Sequence, residues 1–297
     1  MRRLLLIDGH SLLHRAFHAL PPLTTPDGKP IGAVYGLTRM LLKLFKDLEP
    51  THVGVAMEAK GPTFRHEEFK AYKEQRPEMD KDLEAQIPNA HRLLETLSIP
   101  HYIVAGYEGE DVIASIIKKV GEKVDEIIIV TGDRDLFQLI KGKVRVFVPE
   151  KGLSEGRMYG AKEVAEKMGI KPEQVVDYKA LCGDVSDNIP GVRGIGEKTA
   201  KKLLKEYETL GGIYDHSEDL PEKTRKLLGE GKRQADLSRM LATIVSDAPV
   251  KPKLKEWSEE VLQSKRAQEL FREFGFKSLL KETAKPAEPD DSQLKLI

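Results

Sequence analysis

Short, mainly apolar runs alternating with amphipathic stretches constrain this chain more than any other feature. The runs "LLLI" before Asp8, "HVGVAM" before Glu58, "HYIVAGY" before Glu108, "EIIIV" before Asp133 and "VRVFV" after Lys143 lack the polar alternation of a half-exposed strand. Each therefore predicts a strand buried largely on both faces. Between them, "SLLHRAFHAL", "AVYGLTRMLLKLFKDL", "NAHRLLETL" and "DVIASIIKKV" carry helical spacing. That alternation predicts an α/β fold, a mostly parallel sheet covered by helices. Past about residue 150 the strand signal fades, and "AKEVAEKMG", "PEQVVDYKALCG", "EKTAKKLLKEY", "EKTRKLLGEG", "ADLSRMLATI" and "RAQELFREFG" predict a smaller helical domain. The expected division is 1–170 for the core, 171–282 for the helical domain and 283–297, polar and Pro-containing, for a mobile tail.

Ligands of open parallel sheets bind beyond the carboxyl ends of the strands. Here those positions are acidic: Asp8, Glu58, the group Glu108, Glu110 and Asp111, and the pair Asp133 and Asp135, with Asp184 and Asp187 opening the helical part. A turn or a helix cap explains any one of these acids, but not their recurrence at four successive strand ends. Crowded carboxylates repel and raise one another's pKa unless a cation neutralises them. The single cysteine, Cys182, leaves no thiolate zinc site and no intrachain disulfide, so an oxygen-ligand cation, magnesium or manganese, is expected. Two such ions about 4 Å apart activate a water and stabilise the leaving oxygen of a phosphodiester, so metal-dependent phosphoryl transfer to water is the predicted chemistry.

Lys plus Arg and Asp plus Glu both number 48, so attraction to a polyanion must come from local segregation of charge. "GVRGIGEKTA" supplies one such place: Gly194 and Gly196 permit a tight turn that can approach a phosphate, followed by Lys198, Lys201 and Lys202. A second is "TFRHEEFKAYKEQRPEMDKDL", where Arg65, Lys70, Lys73 and Arg76 interleave with Phe64, Phe69 and Tyr72, a mix suited to unpaired nucleotides. His10, His14 and His18 share one helix face, but no acid or cysteine completes a coordination set with them. The apolar run of "MRRLLLID" stops at Asp8, too soon for a signal peptide, and no run reaches membrane-spanning length. A cytoplasmic location without membrane partners is the expectation.

The strings "LLLIDGHSLLHRAFHAL", "TFRHEEFKAYKEQR", "GYEGEDVIAS", "VTGDRDLFQL" and "LCGDVSDNIPGVRGIGEKTAKKLL", in this order, resemble the 5′ nuclease domain of bacterial DNA polymerase I. The resemblance implies a PIN-like (resolvase-like) core with a helical arch at about 61–87, followed by a helix-three-turn-helix domain. It implies a structure-specific 5′ exonuclease and flap endonuclease acting on flapped, nicked or RNA-primed duplexes in replication and repair. By the same resemblance the acids above hold two divalent cations. The turn with Gly191, Gly194, Gly196 and Thr199 binds duplex backbone together with a potassium ion. Tyr72, Lys73 and Arg76 belong to the arch, and Arg15 and Lys73 meet the scissile phosphate. A polymerase acting in cis or in trans is the implied partner.

Two positions depart from the family pattern. "MEA" stands where relatives read "FDA", placing Glu58 at an aspartate position, and "EGED" stands where they read "EADD". Magnesium tolerates little displacement of its ligands, so Glu58 also supports a rival reading: a branched-DNA-binding module with weakened hydrolysis. An unrelated nucleotide-binding α/β protein is disfavoured because no Gly-rich loop follows the first strand.

Overall fold

The computed structural model describes residues 1–151 and 155–283; the expected tail lies, except for Thr283, outside the described residues. Six strands form one sheet: β1 Arg3–Asp8, β2 His52–Ala56, β3 His101–Tyr102, β4 Glu126–Val130, β5 Val144–Lys151 and β6 Glu155–Tyr159. Their order is β3-β2-β1-β4-β5-β6, parallel throughout except that β5 and β6 pair antiparallel. All five residues of β2 and of β4 are buried, as befits central strands; the polar His52 and Glu126 stand at the strand starts, where Glu126 pairs with Arg3 at 2.6 Å. β6 was not foreseen, because its residues "EGRMY" lack an apolar run and three of its five positions are exposed. β3 is shorter than "HYIVAGY" suggested: the chain leaves the sheet after Tyr102 and crosses the sheet end as a loop, with Ile103 47% exposed.

Each face of the sheet has its own core. One gathers Leu4, Leu6, Ile127 and Ile129 against the helix Gly109–Val120 and the helical segment that follows β6. The other packs Leu5, Ile7, Val53 and Val55 beneath the helices Gly9–Ala19, Gly32–Leu48 and Ile87–Thr96. Leu262, Phe271 and Phe274 belong to this second core. The helical part therefore differs from the expected unit at 171–282. After residue 250 the chain returns to the first domain, where Trp257 N donates to Thr51 O at 3.0 Å and the Trp257 ring lies 4.1 Å from that of Phe45. Among the described residues, no helix is long and apolar enough to cross a membrane.

Candidate metal and nucleic-acid site

β1 lies between β2 and β4, so the chain departs to opposite sides at the carboxyl ends of β1 and β4. This switch point is where open sheets leave a crevice. Asp8 ends β1 and caps the following helix, its Oδ1 accepting from Ser11 N at 3.0 Å and its Oδ2 from the Thr131 hydroxyl at 2.8 Å. Asp133 follows β4 and accepts from Asp135 N at 2.9 Å. The capping explanation and the functional one thus apply to the same carboxylates. Glu110, in the first turn of Gly109–Val120, completes the group: Glu110, Asp133 and Asp135 each offer a carboxylate oxygen within 4.8 Å of the others.

Gathering these acids disfavours their ionised forms. Burial lifts the Asp8 carboxyl to about 7, with Glu58 and Asp133 adding repulsion. Burial and then Asp133 raise Asp135 to about 7, against the pull of Lys179. Glu110 is raised well above the usual range by burial and by Glu108, Asp133 and Asp135. An all-oxygen donor set that repels itself fits a hard divalent cation such as magnesium or manganese. Asp8, Asp133 and Asp135 open on a cleft of about 1340 Å³ lined also by Arg15, His14, Glu58, Arg76, Glu197 and Lys201.

The sequence matches two family descriptions end to end: "5'-3' exonuclease, N-terminal resolvase-like domain" over residues 3–169 and "5'-3' exonuclease, C-terminal SAM fold" over residues 170–268. The chain belongs to the 5′-3′ exonuclease family. Relatives in that family include DNA polymerase I of Bacillus caldotenax, 40% identical over 99% of this chain and 34% of its own length. DNA polymerase I of Bacillus subtilis is 38% identical, over 98% and 34%. The chain thus spans about a third of the length of these relatives. Among solved structures, T5 5′-exonuclease with divalent metal ions (zinc) bound superposes with a TM-score of 0.69 at 24% identity, covering 95% of this chain and 98% of that one. The catalytic core of Rad2 in complex with DNA substrate gives 0.62 at 15%, covering 95% and 92%. At these identities the likeness concerns the fold, the resolvase-like core and the helical SAM-like part.

Not every expected site residue faces the cleft. Asp111 is fully buried, and its two carboxylate oxygens accept from Arg65 Nη1 and Nη2 at 2.8 and 2.9 Å, from Glu108 N at 3.1 Å and from Val245 N at 2.9 Å. Its lone pairs are spent, so the expectation of a metal ligand is corrected to that of a buried counterion. Arg65 is corrected with it: it is fully buried, and its remaining donors go to Leu241 O and Thr243 O, so no phosphate reaches it in this conformation. Its place in an alternating basic and aromatic string hid that burial. Glu108 is 5% exposed and turns toward the arch, accepting from Lys73 Nζ at 2.8 Å and Tyr72 Oη at 3.3 Å. Glu58 is exposed; its N–H donates to His10 Nδ1 at 3.0 Å, and it lies outside the converging group of three.

The segment expected as an arch contains the short helices Phe64–Glu68 and Lys81–Glu84. Between them the chain folds against the acids, with Lys73 N donating to Asp187 O at 3.0 Å and Asn188 Nδ2 to Ala71 O at 2.6 Å. Lys73 takes a left-handed φ of 56°, uncommon outside glycine. Tyr72 is 2% exposed, its hydroxyl also reaching Asp187 Oδ2 at 3.2 Å, and Arg76 pairs with Asp187 Oδ1. Lys70 remains at the surface.

In the glycine turn, Gly191 is corrected from a contact with duplex to a packing position. A Cβ there would meet Gly183 N at 2.3 Å, and the Gly191 N–H already donates to Ser238 Oγ at 2.9 Å. Gly194 is exposed at φ +89° and Gly196 is exposed at the start of Glu197–Tyr207. Lys198 and Lys202 are exposed, while Thr199 and Lys201 are half-buried, Lys201 lying 3.3 Å from Glu197. One cation went unnoticed in the sequence. Lys179 donates to Asp135 and to Asp184 from within the largely buried helix Val175–Cys182, where a lysine between Tyr178 and Ala180 was the available signal.

Proposed function

We propose that this chain hydrolyses phosphodiester bonds near the 5′ ends of flapped, nicked or RNA-primed DNA, with two magnesium or manganese ions. The observation that carries the proposal is the convergence of Glu110, Asp133 and Asp135 beside a cleft that Asp133, Asp135 and the lysine-bearing helix Glu197–Tyr207 line. Asp8, Glu58, Glu108, Asp184 and Asp187 surround that group and are proposed to complete the metal ligands, directly or through water. When bound, the cations supply a polarised water and stabilise the leaving oxygen. The chain's own residues position the substrate. Gly194, Gly196, Lys198, Thr199, Lys201 and Lys202 hold the duplex backbone, a contact that positions without reading sequence. A potassium ion at this turn belongs to the same reading. Lys73, Arg76 and Arg15 meet the charge at the scissile phosphate, while Tyr72 fixes the orientation of Glu108 and Asp187 through its hydroxyl.

The exposed position of Glu58, outside the converging set, supports hydrolysis over the binding-only reading, since the departure falls where a ligand can act through water. The polymerase relatives support a polymerase as partner in cis or in trans, and a cytoplasmic setting, where such substrates arise. The decisive assay uses a 5′-labelled flap with magnesium, with and without chelator. Size-resolved products that require the metal are expected. Tight binding with no cleavage in either magnesium or manganese would refute the proposal.

A further inference from the structure

The acids of this site are not equally open to a metal. Asp184 has both carboxylate oxygens engaged: Oδ1 accepts from Ser186 N at 2.8 Å and Ser186 Oγ at 2.7 Å, and Oδ2 accepts from Lys179 Nζ at 2.5 Å. The same ammonium donates to Asp135 Oδ1. Lys179 is 9% exposed and its backbone lies in the helix Val175–Cys182, so the ammonium is carried on a fixed backbone by a movable side chain. By contrast, the ion pair of Glu110 is a long one, 3.5 Å from Arg65 Nη2. A divalent ion that uses Glu110 meets a carboxylate in a long ion pair. One that uses Asp184 meets a lysine already between its ligands.

We propose that Lys179 is a resident cation of the Asp135–Asp184 side and makes the two metal sites unequal, the Asp184 site filling only as the ammonium withdraws. The inference rests on the proposed two-metal reading and names a residue that regulates it. The physical basis is competition for one pair of oxygens: an ammonium within hydrogen-bonding distance of both carboxylates neutralises part of the charge that attracts the ion, and two cations cannot share that space. The ion that binds first gains from Glu110 and Asp133 irrespective of Lys179. The second ion must exchange one set of charge-assisted hydrogen bonds for coordination, so its net gain is smaller.

The test is calorimetric titration of the whole, metal-free protein with manganese alone, without DNA. Two unequal events are expected in the natural protein. In Lys179→Met the weaker event should tighten by about tenfold or more while the stronger stays within about twofold, and Lys179→Arg should keep the weak event. A weaker event unchanged in Lys179→Met, or both events tightened alike, overturns the inference and leaves the proposed nuclease standing. No manganese binding at all in the natural protein overturns both. A second measurement needs no variant: acetylation of Lys179 by acetic anhydride, read by mass spectrometry, should be low without metal and rise over the manganese range of the weaker event. Labelling that is flat across that range also overturns it.

Discussion

Arg65 and Asp111 form a bidentate pair with neither side chain exposed to solvent, Nη1 to Oδ2 at 2.8 Å and Nη2 to Oδ1 at 2.9 Å. Three parts of the chain meet there: the arch base, the acid-bearing helix Gly109–Val120 and, through Leu241 O and Thr243 O, the helical segment. Removing one partner strands a buried charge. Arg65→Leu is expected to cost about 3–5 kcal/mol in urea denaturation, and adding Asp111→Leu to recover part of it. A loss under about 1 kcal/mol would mean that water reaches the pair.

Stability without metal should depend on pH through the raised acids. A folded-state pKa of about 7 at Asp8 means the folded chain keeps a proton that the unfolded chain has released, so this contribution is present in acid and lost as pH rises toward and through 7. Asp8→Asn removes that loss. With chelator present, its melting temperature should exceed that of the natural protein by several degrees at about pH 8, and the gap should shrink by about pH 5. Asp184, lowered by Lys179 and Ser186 against the effect of burial, acts in the opposite sense, which is why the comparison is between variant and natural protein. A gap that widens in acid would contradict the assignment.

Lys73 stands 2.8 Å from Glu108, beside the acid cluster. If it meets charge that develops on the scissile phosphate, Lys73→Ala should slow single-turnover cleavage by about a hundredfold with affinity changed less than about threefold. Equal losses in rate and affinity would reduce it to a binding residue.

Salt dependence should separate the lysines of the turn. Lys198 is exposed, whereas Lys201 lies 3.3 Å from Glu197, so Lys198→Ala should lower the slope of log affinity against log salt by about 0.9 and Lys201→Ala by clearly less. Identical slopes for both variants and the natural protein would place the duplex elsewhere.

Glu110 is within the converging group and Glu58 is not. Glu110→Gln is therefore expected to lose at least about a thousandfold in single-turnover rate, and Glu58→Gln about tenfold or less. The reverse order would make Glu58 the principal ligand.

The sheet and the convergence of Glu110, Asp133 and Asp135 were legible because apolar runs and strand-end carboxylates are local features. β4 shows this best, its run Ile127–Val130 buried as unbroken hydrophobicity demands. What was not legible depends on residues far apart in sequence. Nothing near Arg65 announces that Leu241 and Thr243 will enclose it, and nothing near Lys179 announces Asp135. β6 escaped for a different reason: an exposed edge strand needs no apolar run, only a partner for its backbone.

Tyr159 ends β6 on the core, and Lys253 and Trp257 return to the core at Tyr102 and Thr51, so the segment between them is joined to the same body at both ends. A module on a single linker swings freely, and its distance from its neighbour is set by chance. This one is a closed handle. Lys119 Nζ fastens its far limb by donating to Ala248 O and Val250 O at 3.1 and 2.7 Å. The span from the glycine turn to the strand-end acids is therefore a fixed ruler, and under the proposed function a duplex held at the turn would present its backbone to the acids at a set number of nucleotides.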